Sequence, residues 1–174
     1  AGGRAAAAAG GAGGSWIRAE VGGASQTAVG WGRCAQWRAL AFYEKARDQW
    51  QRAGDLPWAA TISANVAEIL SDRGQLEEAD HMGREALRIL RGPGLKSAIA
   101  FGLNIVGRVA CRSGRYAEAL ELLEQARAVN HEIGDQPEKL ESDVRIAECL
   151  AMQGRSAQAL ELATEALVRS ETLG

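Results

Sequence analysis

At 174 residues, 47% hydrophobic and 24% charged, the chain is long enough to bury the core of one or two ordinary domains. A net charge of −2 removes the concentrated basic face that nucleic acid requires, and no run approaches the roughly 18–20 apolar residues of a membrane span. Three cysteines, Cys34, Cys111 and Cys149, are an odd number without a CxxC, which speaks against a disulfide framework or a zinc site and for a reducing cytoplasm.

In chain order, residues 1–36 read as a low-complexity, Gly/Ala-rich segment, disordered or non-native. The alanines of 5–9 are too short a run for a secretory signal, and without an initial Met the chain is expected to be a piece of a longer protein. Gly30-Trp31-Gly32-Arg33-Cys34-Ala35 superficially matches a dinucleotide fingerprint, but no strand precedes it. From Trp37 the pattern turns helical. Ala39, Tyr43 and Ala46 share a register, and Trp37, Phe42, Tyr43 and Trp50 lie near one face, expected to pack on the next repeat.

Beyond Gly54 the chain repeats with a period of 40. Gly74, Gly114 and Gly154 keep that spacing, as do Gly54, Gly94, Gly134 and Gly174; Pro57 and Pro137 are two periods apart, with Ser97 between. Each period resolves into two helices. The first opens on an acidic residue followed by proline, as in Asp55-Leu56-Pro57 and Asp135-Gln136-Pro137. Its apolar positions then recur at helical spacing: Ile62, Val66, Ile69, Leu70 in one period and Leu103, Val106, Val109, Ala110 in the next. The second helix carries small residues where two antiparallel helices must approach closely: Ala79 and Ala86, Ala119 and Ala126, Ala159 and Ala166. Leu87, Leu123 and Leu167 are expected on its packed stripe. A single hairpin of this kind cannot bury its apolar face, so neighbours must stack on it. The predicted fold is all-α: an α-α superhelical solenoid of antiparallel hairpins over residues 37–174. A partial repeat at 37–54 precedes full repeats at 55–94, 95–134 and 135–174.

The spacing Ala119-x3-Leu123-x2-Ala126 after Gly107 and Gly114, with Ala159, Ala163 and Ala166 in the last repeat, resembles the tetratricopeptide family. Gly83 stands at the middle large position of the first full repeat, and the period exceeds the family's usual 34 or so. HEAT-type repeats also fall near 40, but lack this register. Ala41-Phe42-Tyr43-Glu44-Lys45-Ala46-Arg47-Asp48 and Asn65-Val66-Ala67-Glu68-Ile69-Leu70-Ser71-Asp72-Arg73-Gly74 are similar to C-terminal tetratricopeptide regions of bacterial nucleotidyl-cyclase-like proteins with an AAA-type ATPase, and of ATP-dependent transcriptional activators. A bacterial source also agrees with 17 arginines against three lysines, the mark of GC-rich coding.

No catalytic constellation accompanies the repeats. His81 and His131 lie in second helices without partners at metal spacing and read as solvated surface residues; no cofactor is expected. The resemblance places function in a concave groove lined by first helices, binding a peptide or protein segment. Its expected contacts are Glu68, Asp72, Phe101, Asn104, Arg108, Arg112, Arg145 and Glu148. Glu68, Arg108 and Glu148 are 40 apart and form an acid–base–acid ladder, open to a partner or paired only with itself. The family's chaperone-carboxylate clamp needs Lys, Asn and Arg where this chain has Ala64, Glu68, Ile105 and Glu141, so only Arg145 fits it. The expected role is a protein-interaction module of a larger signalling or transcription-regulatory protein, with no nucleic acid and no membrane. The alternatives are self-association through exposed solenoid ends and a small-ligand sensor.

Overall fold

The computed structural model describes residues 29–173 apart from Pro93, with side chains from Arg38 to Thr172. Among the described residues there are seven α-helices and no strand: α1 (Val29–Arg52), α2 (Leu56–Asp72), α3 (Leu76–Arg91), α4 (Lys96–Arg112), α5 (Tyr116–Glu132), α6 (Gln136–Met152) and α7 (Ser156–Leu173). The chain divides into two compact units, 1–41 and 42–174. Of the first, only the N-terminal part of α1 is described. Residues 29–36 are therefore helical, where the sequence reads as structureless, and 1–28 lie outside the described residues. The physical reason is cooperativity: no proline interrupts Val29–Trp37, and extending an existing helix by one residue is far easier than starting one.

Within the second unit α2 and α3, α4 and α5, and α6 and α7 form hairpins. Each new first helix packs on the second helix of the hairpin before it, and α2, α4 and α6 sit side by side. The turns explain the glycine spacing. Gly74 has φ +79°, and its relatives Gly54, Gly94, Gly114, Gly134 and Gly154 share the left-handed conformation, which a Cβ disfavours. Around Gly74 the chain closes by Gln75 N–H to Leu70 O, 2.9 Å, and Gly74 N–H to Ser71 O, 3.0 Å, returning donors to carbonyls the helix leaves free. Helix starts also agree with the sequence. The Asp55 carboxylate accepts from Trp58 N–H and that of Asp135 from Glu138 N–H, both at 3.1 Å, with proline in the first turn of each helix. α4 has Leu95 at the equivalent cap, and no side-chain cap forms there. Trp58 stacks on Trp50 across the first turn, ring centroids 6.0 Å apart.

All six alanines of the second-helix stripe are buried. Ala126 packs with Leu87, Leu103 and Val106 and has no free surface. Ala126→Leu should overpack this contact and cost roughly 1–3 kcal/mol, read as a lower urea midpoint at unchanged slope. Gly83, the departure from the family pattern, lets α4 in: a Cβ there would sit 3.3 Å from a Val106 methyl. Leu87 and Leu123 are buried as expected, but Leu167 is 61% exposed. Leu87 is covered by α4, whose Gly102 comes against it, whereas no described helix comes after α7 to do the same for Leu167.

Candidate functional site

The period of 40 places positions 68, 108 and 148, and one turn later 72, 112 and 152, on equivalent points of α2, α4 and α6. Two carboxylates on α2 meet arginines there. Glu68 Oε1 accepts from Arg108 Nη1 at 2.7 Å, and Asp72 Oδ1 lies 2.7 Å from Arg112 Nη1 and 3.3 Å from Arg108 Nη2. The third helix joins differently from the ladder. Arg145, buried on α6, extends across α4 so that its Nη2 reaches Glu68 Oε1 at 2.8 Å and Glu141 Oε1 at 2.9 Å. Glu148 stays exposed, within electrostatic reach of Arg145.

Burial alone would raise the Glu68 carboxyl, but Arg145 and Arg108 outweigh it and hold that group below the usual carboxylate range. The neighbouring Tyr43 phenol is pushed upward, first by burial and then by the Glu68 charge. The depressed carboxyl sets the sign of a pH effect on stability. With the folded-state pKa depressed, the contribution is complete above the unfolded value of about 4.3 and fades as pH falls through the folded value. Glu68→Gln should flatten the decline of melting temperature between neutral pH and acid below that value, which a pH series of thermal melts would show.

The expected site residues therefore separate. Glu68, Asp72, Arg108, Arg112 and Arg145 come together; Glu148 lies beside them. Phe101 is half-buried against the cluster of Ala60, Ala64, Ala67 and Ile105. Asn104 corrects the expectation of an amide offered to a ligand, because it is 2% exposed and neither amide atom finds a hydrogen-bond partner among the described residues. Its position falls on the flank of α4 that packs toward a neighbouring first helix, as the fully buried Ala64 does one period earlier. Arg145 is likewise no open contact, since it is committed to Glu68 and Glu141.

Sequence reasoning missed a second polar cluster. Asp143 on α6 is 1% exposed, with Arg127 of α5 at 3.3 Å from one carboxylate oxygen and Arg169 of α7 at 2.8 Å from the other. Asn130 donates to the Ser142 hydroxyl beside it at 3.3 Å. A signal existed: position 143 is equivalent to Leu103, a core residue, and a carboxylate in a core register needs partners. On the outer side Arg84 and Arg115 tie Asp80 on α3 to Glu118 on α5. His81 and His131 are exposed. No described helix is long and apolar enough to cross a membrane.

Stacked helix pairs with a polar row along their first helices define a helical-repeat scaffold. The chain belongs to the tetratricopeptide repeat family: the family model matches residues 38–92 and 98–171. Solved structures agree on the fold. A Podosopora anserina protein described as a putative kinesin light chain with nearly identical TPR-like repeats superposes with a TM-score of 0.54 at 20% identity, over 76% of each chain. A glutamine-to-methionine variant of that protein gives 0.55 at 19% identity, over 77% of this chain and 76% of that one. A comparison with curated protein sequences returns no match. Tetratricopeptide repeats generally mediate protein–protein interaction and are typically non-catalytic scaffolds.

Proposed function

We propose that this chain is a non-catalytic interaction module that receives an extended protein segment along α2, α4 and α6. The observation that carries the reading is the mixed, accessible strip on these helices. Asp72 and Arg112 keep about a third of their side-chain surface, at 32% and 34%, while α6 presents Glu148, Val144 and Met152 to solvent. A peptide needs both kinds of contact, charge for its polar groups and apolar surface for its side chains. The pairing of Asp72 with Arg112 at the accessible edge does not argue for stability alone, because ion pairs exposed to solvent contribute under about 1 kcal/mol. Exchanging them for a partner's charges therefore costs little. The parent protein in this reading is a bacterial cytoplasmic signalling or transcription-regulatory protein of the nucleotidyl-cyclase-like or ATP-dependent activator kind, with its chemistry in other parts; nucleic acid and membrane are not partners of this module.

Arg112→Glu is the informative change. Arg112 touches Asp72 at the edge of the cluster, so reversing it should leave helicity nearly unchanged while abolishing partner capture from host lysate. Equal recovery of the same protein by both forms would remove the inner row from the binding site.

Self-association is favoured by one observation of its own. Leu160, Leu167 and Val168 on α7 are 69%, 61% and 56% exposed, an apolar face of the kind that covers itself against another helix. Sedimentation across a hundredfold concentration range separates the readings: a mass that rises with concentration supports self-association, and a constant monomer mass supports the peptide groove.

A further inference from the structure

Cys111 near the end of α4 and Cys149 near the end of α6 belong to one buried cluster, with Ile146, Leu150 and Leu123 around them. Both are free thiols. The Cys111 thiol donates to the Met152 thioether at 3.6 Å and the Cys149 thiol to the Tyr116 backbone oxygen at 3.9 Å, while the two thiols lie within electrostatic reach of each other. Three sulfur-bearing side chains from adjacent first helices thus share one neighbourhood. Cys111 and Cys149 are 4% and 0% exposed, while Met152 is 51% exposed, so the thioether forms the open side of the cluster.

We propose that Cys111, Cys149 and Met152, the last also at the edge of the strip proposed to receive a peptide, form a binding site for one thiophilic monovalent cation, Cu(I) in chemical class. Two thiols and a thioether are soft ligands that favour Cu(I), whereas structural zinc sites take four Cys, His or carboxylate ligands. Among the described residues no three His, Cys, Asp or Glu side chains gather for a harder ion. The binding step balances simply: both S–H bonds break, two metal–thiolate bonds form, two protons leave to solvent, and the thioether donates a lone pair without losing a proton. No electron is transferred. The product carries one net negative charge, and Arg112 and Arg155 lie within electrostatic reach of the thiols to stabilise it, against the opposing Glu148.

The test is a titration of the full, reduced chain with Ag(I), a redox-silent probe of the same class, in chloride-free buffer, with Cys34→Ala in every sample. One equivalent should bind tightly with thiolate-to-metal absorption, a higher melting temperature and undiminished far-UV circular dichroism, and Zn(II) should not reproduce it. Cys111→Ala and Cys149→Ala should each abolish the tight equivalent. Met152→Leu, a change at a half-exposed position that leaves the core intact, should weaken it about tenfold or more. Binding that survives Met152→Leu unchanged, that persists in either cysteine variant, or that appears only as helicity is lost would overturn the three-sulfur site.

Discussion

Glu68→Ala is expected to lower unfolding free energy by about 2–3 kcal/mol, more than any other single change to the polar residues of the inner row. Removing one partner of a fully buried pair typically costs about 3–5 kcal/mol, because the remaining charge is left without compensation. Two features reduce that figure here. Glu68 keeps 26% of its side-chain surface, and Arg145 retains Glu141 at 2.9 Å. One further feature keeps the loss large: Arg145 is only 8% exposed at its side chain and its Nε has no partner among the described residues, so it has little access to water once Glu68 is gone. The effect should be read by urea unfolding at neutral pH, where the carboxylate is charged. Arg112→Ala, at the exposed edge of the same network, should cost under about 1 kcal/mol. Equal losses for the two variants would mean that Glu68 is solvated and that Arg145 does not depend on it.

Gly107→Val is expected to cost roughly 3 kcal/mol, the upper end of ordinary overpacking. A Cβ at Gly107 would stand 2.7 Å from Leu123 Cγ and 2.8 Å from its Cδ2. Leu123 has no exposed surface, and Ala119 O closes the other side at 3.4 Å, so the clash cannot be relieved by swinging a flexible tip into solvent. The hairpin of α4 and α5 would have to open. Gly107→Ala gives the control. It brings the same Cβ against Leu123 without the two γ-methyls and recovers up to about 1 kcal/mol of helix propensity, so it should still destabilise, but less than Gly107→Val. Gly107→Val combined with Leu123→Ala should recover part of the lost midpoint, since the second change removes the atoms that are struck.

What was legible in the sequence depends on how strictly geometry restricts residue type. A left-handed turn position accepts glycine readily and little else, so Gly74, Gly114 and Gly154 announced the turns. Close helix approach accepts only small side chains, so Ala79, Ala119 and Ala126 announced the hairpin contacts. The equivalence of positions 68 and 108 likewise carried through to a real ion pair. The rest was hidden because long or polar side chains escape their register. Position 145 is equivalent to the buried Ile105, so periodicity marks it as core, and only the length of an arginine lets it cross α4 to Glu68. Asn104 and Asp143 occupy core registers despite being polar, and a binary pattern reads such residues as surface. The burial of Asn104 removed one expected contact, while that of Asp143 revealed an arginine-bridged junction among α5, α6 and α7. Leu167 shows the opposite failure: the register is that of Leu87, but no described helix covers it.

In the proposed function the inner row of first helices receives a protein segment. The most direct measurement is hydrogen exchange of the full chain with and without a peptide selected on it from a random displayed library, repeated on Arg112→Glu. The expected result is slowed exchange concentrated in α2, α4 and α6, and loss of both binding and protection in the variant. Protection confined to α3, α5 or α7, or undiminished in Arg112→Glu, would contradict it.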